Sequence, residues 1–284
     1  MGDRGIDGYY DRLTRWNAVA RAIGCGGGSD GLTVHRALAD PRAQGRATTS
    51  RLHDVLIERL PAMVNPQVLD AGCGLGGTMI DLAERLGGNY VGLTLSAEQA
   101  ALATRAIARR GLGDRIRVRV HGYDDPPAGP FDLIVAIESL ARSADPAVSV
   151  AALARVLHPG GLLAIVDDMP RKGADSSRDL VAFKRGWQCP ALWSRRRYVR
   201  ACAALGLDVA VDVDLTAECR PRPLPRIAWL QALNRWGRAV APSPGFRRVL
   251  DSHHGGLALE RLYRHGLVEY RLLLVGAPRA LHSS

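Results

Sequence analysis

Val68-Leu69-Asp70-Ala71-Gly72-Cys73-Gly74-Leu75-Gly76-Gly77 is the stretch on which the fold turns. A short apolar run passes through an acid into a cluster of glycines. Helical spacing then takes over from 77 to 86, until Gly87-Gly88 stops it. The order is strand, tight turn, helix. Glycines at such a turn let the backbone bend sharply and let a ligand come close to the amides that open the next helix.

The alternation repeats on both sides of this unit. Strands are expected at 68–71, 90–95, 116–120, 131–137, 162–166, 207–215 and 268–275. Between them the apolar spacing predicts helices at 47–60, 77–86, 97–110, 146–157 and 195–205, with Ser96 and Asp145 as N-caps and a turn at His158-Pro159-Gly160-Gly161. Strands alternating with helices of this length make an α/β fold: a Rossmann-like, seven-stranded, mostly parallel sheet with helices on both faces. What remains is an N-terminal arm, residues 1–46, and a domain over 47–284 with cap segments at 170–193 and 222–265. The latter cap is an insertion introduced by Pro221, Pro223 and Pro225.

Bulk properties narrow the class. The chain has 284 residues, 47% hydrophobic and 23% charged, enough to bury one full core. It has neither a run of about 18 apolar residues nor a signal-peptide start, which reads as a cytoplasmic protein without membrane insertion. Cys25, Cys73, Cys189, Cys202 and Cys219 are scattered and never spaced C-x-x-C, so neither a disulfide framework nor a metal site is expected. The net charge of +10 raises nucleic acid as a partner. Nearly all of that charge is arginine, however, and the densest cluster, Arg195 to Arg197, opens a helix as a solvated face.

Gly72, Gly74 and Gly77 satisfy G-x-G-x-x-G, a spacing that serves a dinucleotide or S-adenosylmethionine. Asp70 separates them. A carboxylate there would repel a pyrophosphate, whereas it suits a ligand that carries an ammonium and a sulfonium. The dehydrogenase pattern also needs an acid about 20 residues on. Here the second strand ends Gly92-Leu93-Thr94-Leu95-Ser96 instead.

The 68–77 stretch resembles the first motif of class I S-adenosylmethionine-dependent methyltransferases. Val91-Gly92-Leu93-Thr94-Leu95-Ser96, with Gln99, is similar to the branch of cyclopropane-fatty-acid synthases, sterol and tocopherol C-methyltransferases and sarcosine-type N-methyltransferases. Phe131-Asp132-Leu133-Ile134, Glu138-Ser139-Leu140 and the run from Leu153 to Gly161 follow in the family's order, so the resemblance covers about residues 50–168. It implies that Asp70, Gly72 and Gly74 hold the methionine part of the cofactor, with Cys73 in the same loop. Thr94, Leu95 and Gln99 would line the ribose and adenine, and Gly122, Tyr123 and Asp124 would lie by the adenine ring. Glu138 would face the methyl-transfer region, and Tyr10, in Tyr9-Tyr10-Asp11, would help close over the cofactor. Related enzymes often carry a histidine four residues after the glutamate, where this chain has Arg142.

The arm and the two caps hold every tryptophan, and such segments can wall a small-molecule pocket or form their own small core. A base is needed only if the acceptor must lose a proton. His254, just before a flexible break expected at Gly255-Gly256, is the first candidate, with His35 and Glu138 beside it. Three functions stay open: methylation of a small, partly apolar molecule at C, N or O; RNA methylation; and another reaction on the same fold with the same cofactor. A homo-oligomer also remains open.

Overall fold

In the computed structural model, which describes residues 31–241 and 243–277, a short hairpin of β1 (Leu38–Ala39) and β2 (Ala47–Thr48) precedes helix α1 (Ser50–Ile57). Tyr9, Tyr10 and Trp16 lie outside the described residues. The chain continues through β3 (Gln67–Ala71), α2 (Gly77–Leu86), β4 (Asn89–Thr94), α3 (Ala97–Arg109), β5 (Ile116–Val120), β6 (Phe131–Ile137), α4 (Pro146–Arg155) and β7 (Leu157–Pro170). It ends with α5 (Arg178–Trp187), α6 (Arg195–Ala203), β8 (Asp208–Asp214), α7 (Leu224–Ala239), α8 (Pro244–Arg264) and β9 (Val268–Gly276).

Seven strands make one sheet in the order β5-β4-β3-β6-β7-β9-β8. The first five are parallel, and β9 runs antiparallel to both β7 and β8. The chain therefore steps outward from β3 to β4 and β5, then crosses back to β6. A crevice opens where strand order reverses, at the carboxyl ends of β3 and β6. Alternation along β3 decides which residue feeds which side. Val68 packs with Leu52, Val55 and Leu82 on one face, while Leu69 packs with Leu93, Ile134 and Leu153 on the other. The caps are those expected: Ser96 Oγ accepts from Gln99 N at 3.0 Å, and Asp145 Oδ1 accepts from Ala147 N at 2.9 Å.

Three expectations need correction. Helix α1 starts at Ser50 rather than 47, because Ala47 and Thr48 are taken by pairing with Ala39 and Leu38. Strand β7 runs from Leu157, taking in as an irregular stretch the His158–Gly161 expected as a turn, on to Pro170, since β9 pairs with it from Leu162 through Pro170, and this buries Asp167 and Asp168 inside the sheet. Gly255-Gly256 is no break: α8 runs straight through it. These glycines serve close packing instead. A Cβ on Gly255 would sit 3.0 Å from Trp187 Cδ1 and 3.1 Å from Gly186 Cα, so α5 and α8 touch backbone to backbone. Trp187 Nε1 donates to Ser252 O at 3.0 Å, and Ser252 Oγ donates to Gly186 O at 3.0 Å, stitching the crossing. No helix of the described residues is long and apolar enough to cross a membrane.

The crossing gives a direct test. A Cβ at Gly186 would lie 2.5 Å from the carbonyl oxygen of Asp251, which is backbone and cannot step aside. Gly186→Leu should lose about 1–3 kcal/mol or more in denaturant unfolding. Gly256→Ala, whose Cβ meets Trp187 no closer than 3.6 Å, should be neutral or gain up to about 1 kcal/mol as a helix interior residue.

Candidate cofactor and substrate site

The glycine loop is built by left-handed turns. Gly72, Gly74 and Gly76 have φ of 114°, 53° and 83°, and the amides of Gly72 and Cys73 both bond Leu93 O, tying the loop to the end of β4. A Cβ on Gly72 would lie 2.6 Å from Ser139 Cβ, and one on Gly77 2.4 Å from Thr33 Oγ1. The loop is thus gripped by the end of β6 on one side and covered by the 32–34 segment on the other. Asp70 is buried beneath it. Burial pushes its carboxyl up to about 7, and Oδ2 has no hydrogen-bond partner among the described residues. A buried acceptor left unmatched beside opened backbone is what an ammonium-bearing ligand would complete, so these residues fit S-adenosylmethionine. Cys73 points the other way: a Cβ on Gly92 would meet its sulfur at 2.8 Å, which makes it packing beneath β4.

At the end of β4, Thr94 Oγ1 donates to Gln99 Oε1 at 2.9 Å and accepts from Ser96 N at 3.2 Å. That pair fixes the Gln99 amide. Leu95 lies 3.7 Å from where a Gly122 Cβ would stand, giving a narrow wall of the kind an adenine ring would use. Tyr123 reaches across to donate to Ser139 O at 2.9 Å. Asp124 accepts a hydrogen bond from Ser149 on α4, so it braces this wall.

Glu138 follows β6 with φ of 49°, and its Oε1 accepts from Arg36 N at 2.8 Å and from the Tyr270 hydroxyl at 2.9 Å. The Arg36 guanidinium is 4.8 Å from the Tyr263 ring centre and 5.6 Å from that of Tyr270, and it pairs with Asp168 at 3.6 Å. Tyr263 also donates to Asp168. Burial raises the Asp168 carboxyl, Arg36 pulls it back, and Glu138 pushes it up again. Arg36, Asp168, Tyr263 and Tyr270 belong to no sequence motif, and the sequence reading missed them.

Above this cluster lies a cavity of about 270 Å³ whose lining includes Val34, His35, Glu138, Trp187, Arg222 and His253. Val34 also stands 3.3 Å from where a Gly74 Cβ would be, so the cavity adjoins the glycine loop. A more open hollow of about 540 Å³ among Thr216, Arg220 and Arg264 includes neither Glu138 nor any residue of that loop. Of the three candidate bases, the structure brings His35 and Glu138 into the cavity and leaves His254 out of its lining. His254 stays with the charges of Arg238, Asp179 and Asp251, and burial lowers its affinity for a proton. Of the tryptophans, Trp187 alone among those described lines the cavity. Trp193 packs on Tyr198 in the core, with ring centres 5.4 Å apart, and Trp229 and Trp236 are exposed.

His35 does not act alone. Its Nε2 is 3.0 Å from His53 Nε2, and its Nδ1 is 3.1 Å from Arg36 O. His53 is buried, with Nδ1 2.7 Å from Asp81 Oδ2. Burial pulls the Asp81 carboxyl up, but the bonds from His53 and Arg85 outweigh it and leave it below the ordinary value.

Comparison with known proteins agrees with this geometry. Residues 44–173 match the family model described as mycolic acid cyclopropane synthetase. The chain is 30% identical over 222 residues to methyltransferase GfsG of Streptomyces halstedii, covering 77% of this chain and 78% of that one. Among solved structures, a geranyl diphosphate methyltransferase in complex with S-adenosylmethionine superposes with a TM-score of 0.65 at 25% identity, over 85% of this chain and 97% of that one. The (4+2)-cyclase SpnF shares the fold at a TM-score of 0.72 and 22% identity, over 96% and 95% of the two chains. With its glycine loop, buried Asp70 and Thr-Leu-Ser strand end in place, the chain belongs to the S-adenosylmethionine-dependent methyltransferases.

Proposed function

We propose that the protein transfers a methyl group to a small, partly apolar molecule seated in the cavity between the His35 segment and α8. The observation that carries this reading is the cavity itself, small in volume, joined to the glycine loop through Val34, and lined by an aromatic ring and paired charges. Arg36 is matched by Asp168, and Arg222 by Glu260, so the cavity is not the open basic groove an RNA would need. Geranyl diphosphate, the small molecule for which the solved relative is named, supports the same substrate class. Residues 1–46, 170–193 and 222–265 are read as covers over one methyltransferase domain spanning 47–284.

S-adenosylmethionine, when bound, supplies a methyl carbon already activated by its sulfonium. Alignment of the acceptor by the protein can then provide much of the rate. Asp70 would hold the cofactor's ammonium, Gly72 and Gly74 would admit its backbone approach, and Thr94, Leu95, Gln99, Gly122 and Tyr123 would bound the nucleoside. Glu138, held by Tyr270 and the Arg36 amide, would orient the acceptor. Where the acceptor must lose a proton, His35 would take it. His35 lines the cavity, and its Nε2 lies 3.0 Å from His53 Nε2, whose ring meets Asp81 through Nδ1, an arrangement that supports this role.

Incubation with S-adenosylmethionine and a panel comprising a prenyl diphosphate, a sterol, a phenol and transfer RNA, read by product mass, tests the function. Methylation of the RNA alone would overturn it. With a methylated substrate identified, His35→Gln should lower kcat by about 100-fold, in the usual range for a general base. Asp81→Asn should shift the pH profile of kcat while leaving the KM for S-adenosylmethionine unchanged. An unaltered profile in both variants would leave alignment as the whole mechanism.

Asp70 gives a second test. Without a cation its buried carboxyl takes up a proton near pH 7, and once protonated it cannot balance an ammonium. Cofactor affinity measured by calorimetry should therefore rise as pH increases from about 6 to about 8, because binding releases that proton. Asp70→Asn should remove the step and weaken binding by about 10- to 100-fold. A wild-type affinity that is flat across this window would count against the assignment.

A further inference from the structure

Helix α7 turns an apolar ridge outward. Trp229, Leu233, Trp236 and Val240 follow one another at spacings of four, three and four residues, so they fall on one face, opposite the buried Ile227 and Asn234. The two tryptophans are 64% and 66% exposed, which is unusual for the residue type that gains most from burial. The ridge runs for roughly 16 Å at 1.5 Å per residue.

Its surroundings carry one sign of charge. Between Pro221 and Leu250 there are six arginines, at 222, 226, 235, 238, 247 and 248, and no aspartate or glutamate. Arg222 and Arg238 are engaged by Glu260 and Asp251 of α8, while Arg226, Arg235, Arg247 and Arg248 are exposed along the same helical hairpin. Phe246, at the start of α8, adds an exposed ring.

We propose that this face of the α7–α8 hairpin docks onto an anionic lipid surface, with the ridge inserted among the headgroups and the arginines on their phosphates. Tryptophans favour the boundary between water and hydrocarbon, and a helix with an apolar stripe flanked by arginines lies in that plane. A second copy of the chain is a poorer partner, because a symmetric contact through this face would set arginine against arginine. Docking here has a consequence for the site. Helix α8 is tied to α7 by Asn234 Nδ2 donating to Leu250 O at 3.0 Å, and it carries Ser252, His253 and Gly256 into the cavity wall. The cavity would thus be covered by the same hairpin that touches the bilayer, and an apolar acceptor could pass between them. The docking itself does not rest on the substrate assignment, and its test needs no turnover.

The full chain would be sedimented with phosphatidylcholine vesicles and with vesicles of phosphatidylcholine mixed with phosphatidylglycerol, with intrinsic tryptophan fluorescence followed in parallel. Binding is expected to the anionic vesicles, with a blue shift and with weakening as salt screens the arginines. W229S/W236S should reduce it by about tenfold or more, as should R235E/R247E/R248E, each with an unchanged melting temperature because these side chains are exposed. No sedimentation with anionic vesicles at low salt would overturn the proposal. So would equal binding by W229S/W236S, a concentration-dependent dimer abolished by that variant, or vesicle binding that appears only after residues 1–30 are removed.

Discussion

The ends of β3 and β6 approach so closely that no side chain fits between them: a Cβ at Gly72 would overlap that of Ser139. The arrangement of the site follows from this contact. With the two strand ends pressed together, the loop after β3 must swing away through left-handed glycines, with the Gly72 and Cys73 amides held on Leu93 O. Asp70 is caught beneath the loop and loses its water. On the other strand, the chain leaves β6 through Glu138 with positive φ, a conformation that costs a non-glycine residue about 1–3 kcal/mol and aims the carboxylate at Arg36 N and Tyr270.

Behind Glu138 and Arg36 of the cavity wall lies an acid cluster that folding alone would not favour. Burial, with the negative charges of Asp168 and Glu138 beside it, pushes the Asp167 carboxyl up to about 7. It is tolerated because it accepts from Ala141 N at 3.0 Å, from Asp168 N at 2.9 Å and from the Tyr198 hydroxyl at 3.2 Å. Asp168 has Arg36 and Tyr263. One guanidinium and three tyrosines thus hold three carboxylates in place, and removing any partner would leave a buried charge that costs several kcal/mol. Arg36 also donates its own amide to Glu138, so the segment covering the glycine loop is anchored by the cluster it completes.

The sheet was legible, and the candidate cofactor half of the site could be named, because their information is local. A change of apolar period from two to 3.6 marks each strand and helix, and Asp70, the glycines, Thr94 and Gln99 fall within short contiguous motifs. The proposed substrate half is assembled across the chain: Arg36 meets Glu138 over 102 positions and Tyr270 meets it over 132. Neither arginine nor tyrosine at those positions carries a local pattern. That His253 lines the cavity and the candidate His254 does not follows from helix geometry. Reading Gly255-Gly256 as flexible hid the regular helix in which adjacent residues point about 100° apart. Glycines there meant contact with Gly186, which only the fold of α5 onto α8 reveals.

The replacement of a family histidine by Arg142 acquires a physical meaning in this setting. Arg142 donates to Glu138 O and places its guanidinium 6.0 Å from the centre of the Trp187 ring. It therefore clamps the strained turn after β6 to helix α5, and a group permanently charged cannot accept a proton. His35, which lines the cavity and contacts His53, carries an imidazole, a group that can accept one. Proton transfer, where the acceptor requires it, would then run toward the segment that covers the glycine loop rather than toward α5. That segment is the one whose position depends on Arg36 and Glu138, so orientation of the acceptor and removal of its proton would be set by the same contact.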